Sequence, residues 1–146
     1  MINILDCTLR DGGYINNWRF NEEFINNFNR ICNKLVDYVE IGFINKTNNY
    51  CNQIVGNSRI LDKHHINLFS KYNFKKVVMA DFADINLNIL EEDLNIDLVR
   101  IAFHKTDLTE ALKMCKKVKD MGYKVSVNAM AITNYTGDEL NYLFNF

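Results

Sequence analysis

Short apolar runs rich in β-branched residues alternate with longer amphipathic stretches, and this alternation most narrows what the chain can fold into. The runs lie at 2–6, 38–43, 76–81, 98–103 and 124–130, and we predict a strand at each. Parallel neighbours need a crossover connection, so strands that alternate with helical segments are typical of a parallel α/β sheet.

Helical periodicity marks the segments between these strands. We predict helices over 22–35 and 58–71, a short helix or turn over 85–93, a clear helix after Asp107, and a short last helix after Thr136. The predicted N-terminal caps are Asn21, Asp107 with Glu110, and Thr136 with Glu139.

Five β/α units of this size amount to about five-eighths of a (β/α)8 barrel of roughly 250 residues. We therefore predict an α/β fold in which residues 1–146 form the N-terminal portion of a TIM barrel and lack the later strands. An open, doubly wound parallel sheet is the alternative, because the pattern of strands and helices is the same in both.

Composition excludes several classes of protein. The 146 residues suit one domain, and 48% hydrophobic with 24% charged residues is the profile of a globular protein. Seventeen basic against eighteen acidic side chains argue against a nucleic-acid partner. No apolar run is long enough for a membrane span and no signal peptide is apparent, so we expect a cytoplasmic protein without a membrane partner. The four cysteines form no Cys-x-x-Cys pair, which argues against zinc.

Polar residues recur where the predicted strands end, which is where parallel α/β proteins place their chemistry. Asp81 ends the third strand, and His104 and Asn128 belong to the fourth and fifth. Glu40 and Arg100 lie inside otherwise apolar strands, where a charge is costly unless it is paired. For both residues two interpretations stay open, a structural ion pair inside the barrel and a role in a site.

The loop after the first strand carries the strongest signal. It places the guanidinium of Arg10 beside the carboxylate of Asp11, followed by two glycines. The carboxylate suits a hard divalent cation, and the guanidinium suits negative charge that develops on an oxygen. On residue chemistry alone, a surface turn with a local salt bridge explains the loop as well. Tyr14 and Trp18 follow, and either line the site or pack as core.

The segment from Asp6 to Gly12 reads Asp-Cys-Thr-Leu-Arg-Asp-Gly. It resembles the first strand and loop of the DRE-TIM metallolyase superfamily, whose pattern is Asp-x-Thr-Leu-Arg-Asp-Gly. That group includes 4-hydroxy-2-oxovalerate aldolases, hydroxymethylglutaryl-CoA lyase, and the isopropylmalate and homocitrate synthases. Segments 39–43, 99–107 and 125–130 resemble later strands of the same barrel, in the same order, and only 45–57 matches poorly.

The resemblance implies a metal-dependent aldolase or lyase that breaks or makes a carbon–carbon bond next to a 2-oxo acid, through a metal-stabilised enolate. It implies that Asp11 binds Mg²⁺ or Mn²⁺, that Arg10 holds the enolate oxygen, and that Glu40 orients Arg10. His104 and Asn128 are the further substrate-binding candidates.

The chain departs from the family at two points. Tyr14 stands where the aldolases carry an acid/base histidine, three residues after Asp11, and a phenol is a poor base at neutral pH. The family's His-x-His pair on a later strand has no counterpart. His64 and His65 are adjacent, and we predict them on a helix with one packed and one solvated. We therefore expect an incomplete active site.

Two alternatives follow from these departures. The first is a non-catalytic half-barrel that associates, either with a second copy of itself or with the missing part of the barrel. An incomplete barrel exposes a strand edge and apolar surface, which favours association. The second is a member of the same superfamily that condenses or cleaves an acyl-CoA.

Overall fold

The computed structural model of the chain describes residues 2–46, 55–92 and 94–146. The strands are β1 (Leu5–Asp6), β2 (Tyr38–Phe43), β3 (Lys75–Asp81), β4 (Leu98–Phe103) and β5 (Lys124–Ala129). They form a parallel sheet in the order β1-β2-β3-β4-β5, which curls into a half-barrel. A doubly wound sheet reverses its strand order at a switch point, so the sequential order excludes that alternative and confirms the partial barrel.

The helices are α1 (Thr8–Asp11), α2 (Gly13–Asn16), α3 (Glu22–Leu35), α4 (Lys63–Asn67), α5 (Leu108–Asp120) and α6 (Gly137–Phe144), with short 3-10 turns at Phe82–Asp84, Leu87–Glu92, Lys105–Asp107 and Ile132–Asn134. Helices α3 and α5 pack against the outward face of this curl. The sequence predicts a polar loop after β1, whereas the structure has the two short helices α1 and α2 there. Across the described ranges, none of the helices has the length and apolar character that a membrane crossing needs.

Helix α4 is shorter than predicted because the residues before it pair with the end of β2. The Phe43 N–H donates to the Ser58 carbonyl at 2.9 Å, and the Leu61 N–H donates to the Phe43 carbonyl at 3.0 Å. The helix therefore begins only after Asp62, whose side chain accepts a hydrogen bond from the backbone of His65 at 2.7 Å.

The predicted caps have different outcomes. The Asn21 side chain accepts from the Phe24 N–H and so caps α3. Thr136 and Glu139 form a reciprocal capping box at the start of α6. Asp107 precedes α5 but makes no side-chain capping bond, so that capping box is not formed.

The two faces of the sheet have different neighbours. The outward face is apolar and belongs to the main core beneath α3 and α5, and its buried strand residues include Val39, Ile41, Val78, Ala80, Val99 and Ile101. The concave face carries the polar residues, in rows set by the register: Glu40 with Val77 and Leu98, then Phe43 with Met79, Arg100 and Ser126, then Asp81 with Ala102 and Asn128.

A β-bulge in β2 sets which of its residues join the concave face. The register shifts between Glu40 and Gly42, so that Phe43 pairs with Met79. Gly42 has a φ of 150°, and a Cβ added there would lie 2.2 Å from the Ser58 carbonyl oxygen. Only glycine therefore fits at this point of close approach between two backbones.

Candidate active site at the carboxyl edge of the sheet

Glu40 is the centre of the charged network on the concave face. Its side chain is 0% exposed, and each carboxylate oxygen accepts a hydrogen bond from a different arginine. Oε2 accepts from Arg10 Nε at 2.6 Å, and Oε1 accepts from Arg100 Nη1 at 2.8 Å. A buried carboxylate needs such partners to offset its desolvation. The bond to Arg100 agrees with a structural ion pair inside the barrel. The bond to Arg10 agrees with a role in a site, so both interpretations of Glu40 stay open.

Arg10 is held by two carboxylates. Besides its bond to Glu40, its Nη1 contacts Oδ1 of Asp11. Burial alone lowers the pKa of Arg10, but the hydrogen bond to Glu40 and the charges of Glu40 and Asp11 outweigh burial and raise that pKa. The guanidinium is therefore cationic at every working pH. Its side chain is 15% exposed, whereas that of Asp11 is 59% exposed.

Cys7 lies beside the same network. Its sulfur accepts a weak hydrogen bond from Arg100 Nη1 at 3.8 Å. Burial raises the pKa of the thiol to about 11, and the negative charge of Glu40 adds to this effect. The thiol is therefore neutral at physiological pH, which makes it a poor nucleophile.

The two aromatic residues of the loop have different environments. The Trp18 indole is buried and donates from Nε1 to the Arg10 carbonyl oxygen at 2.8 Å. The Tyr14 ring meets the indole edge-on, with 4.7 Å between centroids, and is largely exposed. Trp18 thus packs into the fold behind the loop, and Tyr14 lies on the surface of the same loop.

A second charged cluster lies at the ends of β2 and β3. Arg59 is buried, with its Cζ 4.1 Å from the centroid of the Phe43 ring and its Nη2 3.4 Å from Asp81 Oδ2. The same Asp81 oxygen accepts from Asn45 Nδ2 at 2.7 Å. The sequence predicts a polar role for Asp81 because it ends a strand. Sequence reasoning missed Arg59, because the helix predicted over 58–71 places it away from the ends of the strands.

The two substrate-binding candidates on β4 and β5 lie apart from this network. His104 follows β4 and is exposed, while Asn128 is partly buried on the concave face of β5. Across the described residues, no side-chain hydrogen bond joins either residue to Arg10 or Glu40. Arg10, Asp11 and Glu40 are thus brought together, and His104 and Asn128 are not joined to them.

The metal implied by the resemblance needs more ligands than the described residues supply. No three His, Cys, Asp or Glu side chains are grouped to hold a cation within 2–46, 55–92 and 94–146. Asp11 contributes one carboxylate, which already contacts Arg10. A single carboxylate with water binds Mg²⁺ only weakly. These residues therefore do not fit a metal centre by themselves.

His64 and His65 are separate from the site. His65 is buried on α4 and His64 is exposed, which confirms that one packs and the other is solvated.

Comparisons with known proteins assign no family to the chain. A scan against protein-family models gives no match, and no curated protein matches the chain. A function is therefore inferred from the charged residues themselves.

Proposed function

We propose that the chain carries the anion-binding part of an aldolase- or lyase-type active site of the DRE-TIM metallolyase kind. The substrate is a small 2-oxo acid, and the reaction breaks or makes the carbon–carbon bond next to its keto group in the cytoplasm. The observation that carries the proposal is the fully buried carboxylate of Glu40, which holds the Nε of Arg10 at 2.6 Å.

Arg10 is suited to this task by the donors that it keeps. Its Nε is used by Glu40 and its Nη1 by Asp11. Nη2 makes no hydrogen bond to any described residue, so it presents N–H donors to a ligand. When the bond next to the keto group breaks, its electron pair moves onto the keto oxygen. A donor that is already fixed and charged stabilises that oxygen without having to reorganise.

A divalent metal belongs to the proposal, although the role of Arg10 rests on that residue's own contacts. We propose Asp11 as one ligand of Mg²⁺ or Mn²⁺, with the other ligands supplied from outside the described residues. Binding of either ion by this chain alone is expected to be weak, because one carboxylate is too few for tight coordination.

Binding of oxalate, which has the shape and charge of the enolate of pyruvate, tests the proposal. We expect isothermal titration calorimetry to detect oxalate binding to the chain, and Arg10→Met to weaken it about tenfold or more through loss of charged hydrogen bonds. The control is Arg30→Met, since Arg30 is exposed on α3. Equal affinity of Arg10→Met and the unchanged chain would refute the proposal. Acetyl-CoA, titrated in parallel, tests the acyl-CoA branch.

A second candidate function is association through β5. This strand ends the described sheet order, and its residues Val125–Ala129 are all partly exposed, whereas most of β3 and β4 is buried. An unpaired strand edge is a template for another chain. The partner that we propose for this edge is a second copy of the chain or the rest of a barrel. Sedimentation equilibrium over a wide concentration range tests self-association, and a monomer throughout would exclude the homo-oligomer.

A further inference from the structure

We propose that Trp18 is a positioning residue that fixes the backbone of Arg10, so that the guanidinium stays in its anion-binding orientation. This inference rests on the proposed role of Arg10. The direct contact is the hydrogen bond from the indole Nε1 to the Arg10 carbonyl oxygen, 2.8 Å long. The indole is 7% exposed, so water does not compete freely for that carbonyl.

The backbone around Trp18 is held in an unfavourable conformation. Asn17 and Trp18 both have a φ of 56°, in the left-handed region that residues with a Cβ rarely adopt. Two hydrogen bonds hold this segment, from the Trp18 N–H to the Gly13 carbonyl at 2.9 Å and from the Gly56 N–H to the Asn17 carbonyl at 2.7 Å. Consecutive left-handed residues persist only where surrounding contacts enforce them. The fold thus enforces the place of this indole.

Glycines enclose Trp18 on two sides. A Cβ added at Gly13 would lie 1.9 Å from Trp18 Cδ1. A Cβ added at Gly56 would lie 1.9 Å from the Trp18 carbonyl oxygen. Both approaches are closer than any side chain allows, so the indole depends on glycine at position 13 and the backbone of Trp18 on glycine at position 56.

Trp18 also ties the loop to the end of β2. Its ring lies edge-on to Phe43, with 6.1 Å between centroids, and the Cζ of Arg59 lies 5.3 Å from the indole. The Cζ of Arg10 lies 5.9 Å from the same Phe43 ring. Arg10 is therefore held at two points, its guanidinium by Glu40 and its backbone by Trp18.

A packing role and a positioning role make different demands on the indole. Packing requires only the ring, whereas positioning requires the N–H that binds the Arg10 carbonyl. Trp18 is the single tryptophan of the chain, so replacing all tryptophan in the protein changes this position alone. Incorporation of 3-benzothienylalanine keeps the shape of the ring system and replaces the N–H with sulfur. Trp18→Phe is the genetically encoded companion.

Two measurements distinguish the two roles. Side-chain NMR of arginine reports the rate at which the Arg10 Nε–H, bonded to Glu40, exchanges with solvent. We expect both replacements to raise this rate and to weaken oxalate binding, each about fivefold, as for loss of one hydrogen bond. The control is Ile15→Ala on α2, which lies in the same loop and is exposed, and which is expected to change neither quantity.

The outcomes separate this inference from the proposed function. If benzothienylalanine leaves both the exchange rate and the affinity unchanged, Trp18 only packs and the inference is overturned. If the unchanged chain does not bind oxalate, the proposed function fails, while the exchange rate of the Arg10 Nε–H still decides whether Trp18 positions it. If Trp18→Phe unfolds, the benzothienylalanine protein, whose ring shape is kept, gives the decision.

Discussion

The carboxyl edge of the sheet has two differently built sides. On the side of β1, β2 and β3, each buried charge has a charged partner, as in the bonds of Glu40 to Arg10 and of Arg59 to Asp81. On the side of β4 and β5, Arg100 reaches across to Glu40, but beyond it His104 is exposed and Asn128 is partly buried. The difference follows from the cost of desolvation, because a buried charge needs partners within the fold and a polar group near solvent does not. The first group is held by charged contacts within the fold, and no side-chain hydrogen bond from a described residue holds His104 or Asn128.

The largest effect is expected from Glu40→Gln, which removes the charge that holds the side of β1, β2 and β3 together. It leaves Arg10 and Arg100 facing a neutral amide, and breaking a buried pair in this way typically costs about 3 kcal/mol of stability. Urea unfolding measures the change. The matched control is Glu110→Gln, which breaks an exposed pair with Lys113 and is expected to cause no measurable loss. If Glu40→Gln is as stable as the unchanged chain, charge pairing does not hold this side.

Acid is expected to lower the stability of the fold through His65, which lies close to the end of β2. Burial lowers the pKa of His65 to about 4, whereas the unfolded chain has the ordinary value of about 6.5. Between these values the unfolded state binds the proton more readily, so stability falls as the pH falls from about 6.5 to about 4, by about 3 kcal/mol at most. The His65 ring lies 3.3 Å from the Ser58 hydroxyl, and the Ser58 carbonyl accepts from Phe43 at the end of β2.

Urea unfolding at about pH 7 and about pH 4.5 measures this loss. His65→Gln removes the titrating group and is expected to flatten that part of the pH dependence. His64→Gln and His104→Gln, both at exposed positions, are expected to retain it. A profile for His65→Gln that matches the unchanged chain would assign the acid sensitivity to other groups.

Ligand affinity compares the two sides directly. Arg10→Lys cannot keep the Nε bond to Glu40 while presenting a fork of donors, so oxalate affinity is expected to fall about tenfold. Asn128→Ala removes a group that no described side chain orients, and a fall of about twofold is expected. Calorimetry measures both variants. Equal losses would mean that the β5 side is as well organised as the β2 side.

The smallest effect concerns helix caps near the β4 and β5 side. Thr136→Ala breaks the capping box of α6 and is expected to cost about 1 kcal/mol. Asp107→Ala, before α5, is expected to cost much less because Asp107 forms no capping bond. The rate of hydrogen exchange at the Glu139 and Glu110 amides, within the first turn of each helix, measures the effect of each cap separately. Equal acceleration at both sites would show that the difference between the two caps has no energetic meaning.

The features that could be predicted from the sequence are those set by neighbouring residues in the chain. The strands follow from short β-branched runs, and the pairing of Glu40 with Arg100 follows from the cost of a lone charge inside an apolar strand. The shortening of α4 and the recruitment of Arg59 depend on backbone and side-chain contacts between segments far apart in the chain. No periodicity encodes such contacts. Membership of the metallolyase superfamily stays a prediction.

Gly42 has a consequence for how this site can change. Before the bulge, the even-numbered Tyr38 and Glu40 share rows with inward-facing residues of β3, and after it the odd-numbered Phe43 does. The extra residue thus shifts the phase of the strand by one. Straightening the strand with every residue kept would leave Glu40 opposite Val77 but bring Phe43 opposite Ala80, on the face toward the helices. The site would then lose the ring that both Arg10 and Arg59 approach. The ring that faces Arg10 and Arg59 is therefore selected by the bulge as much as by the identity of the residue at position 43.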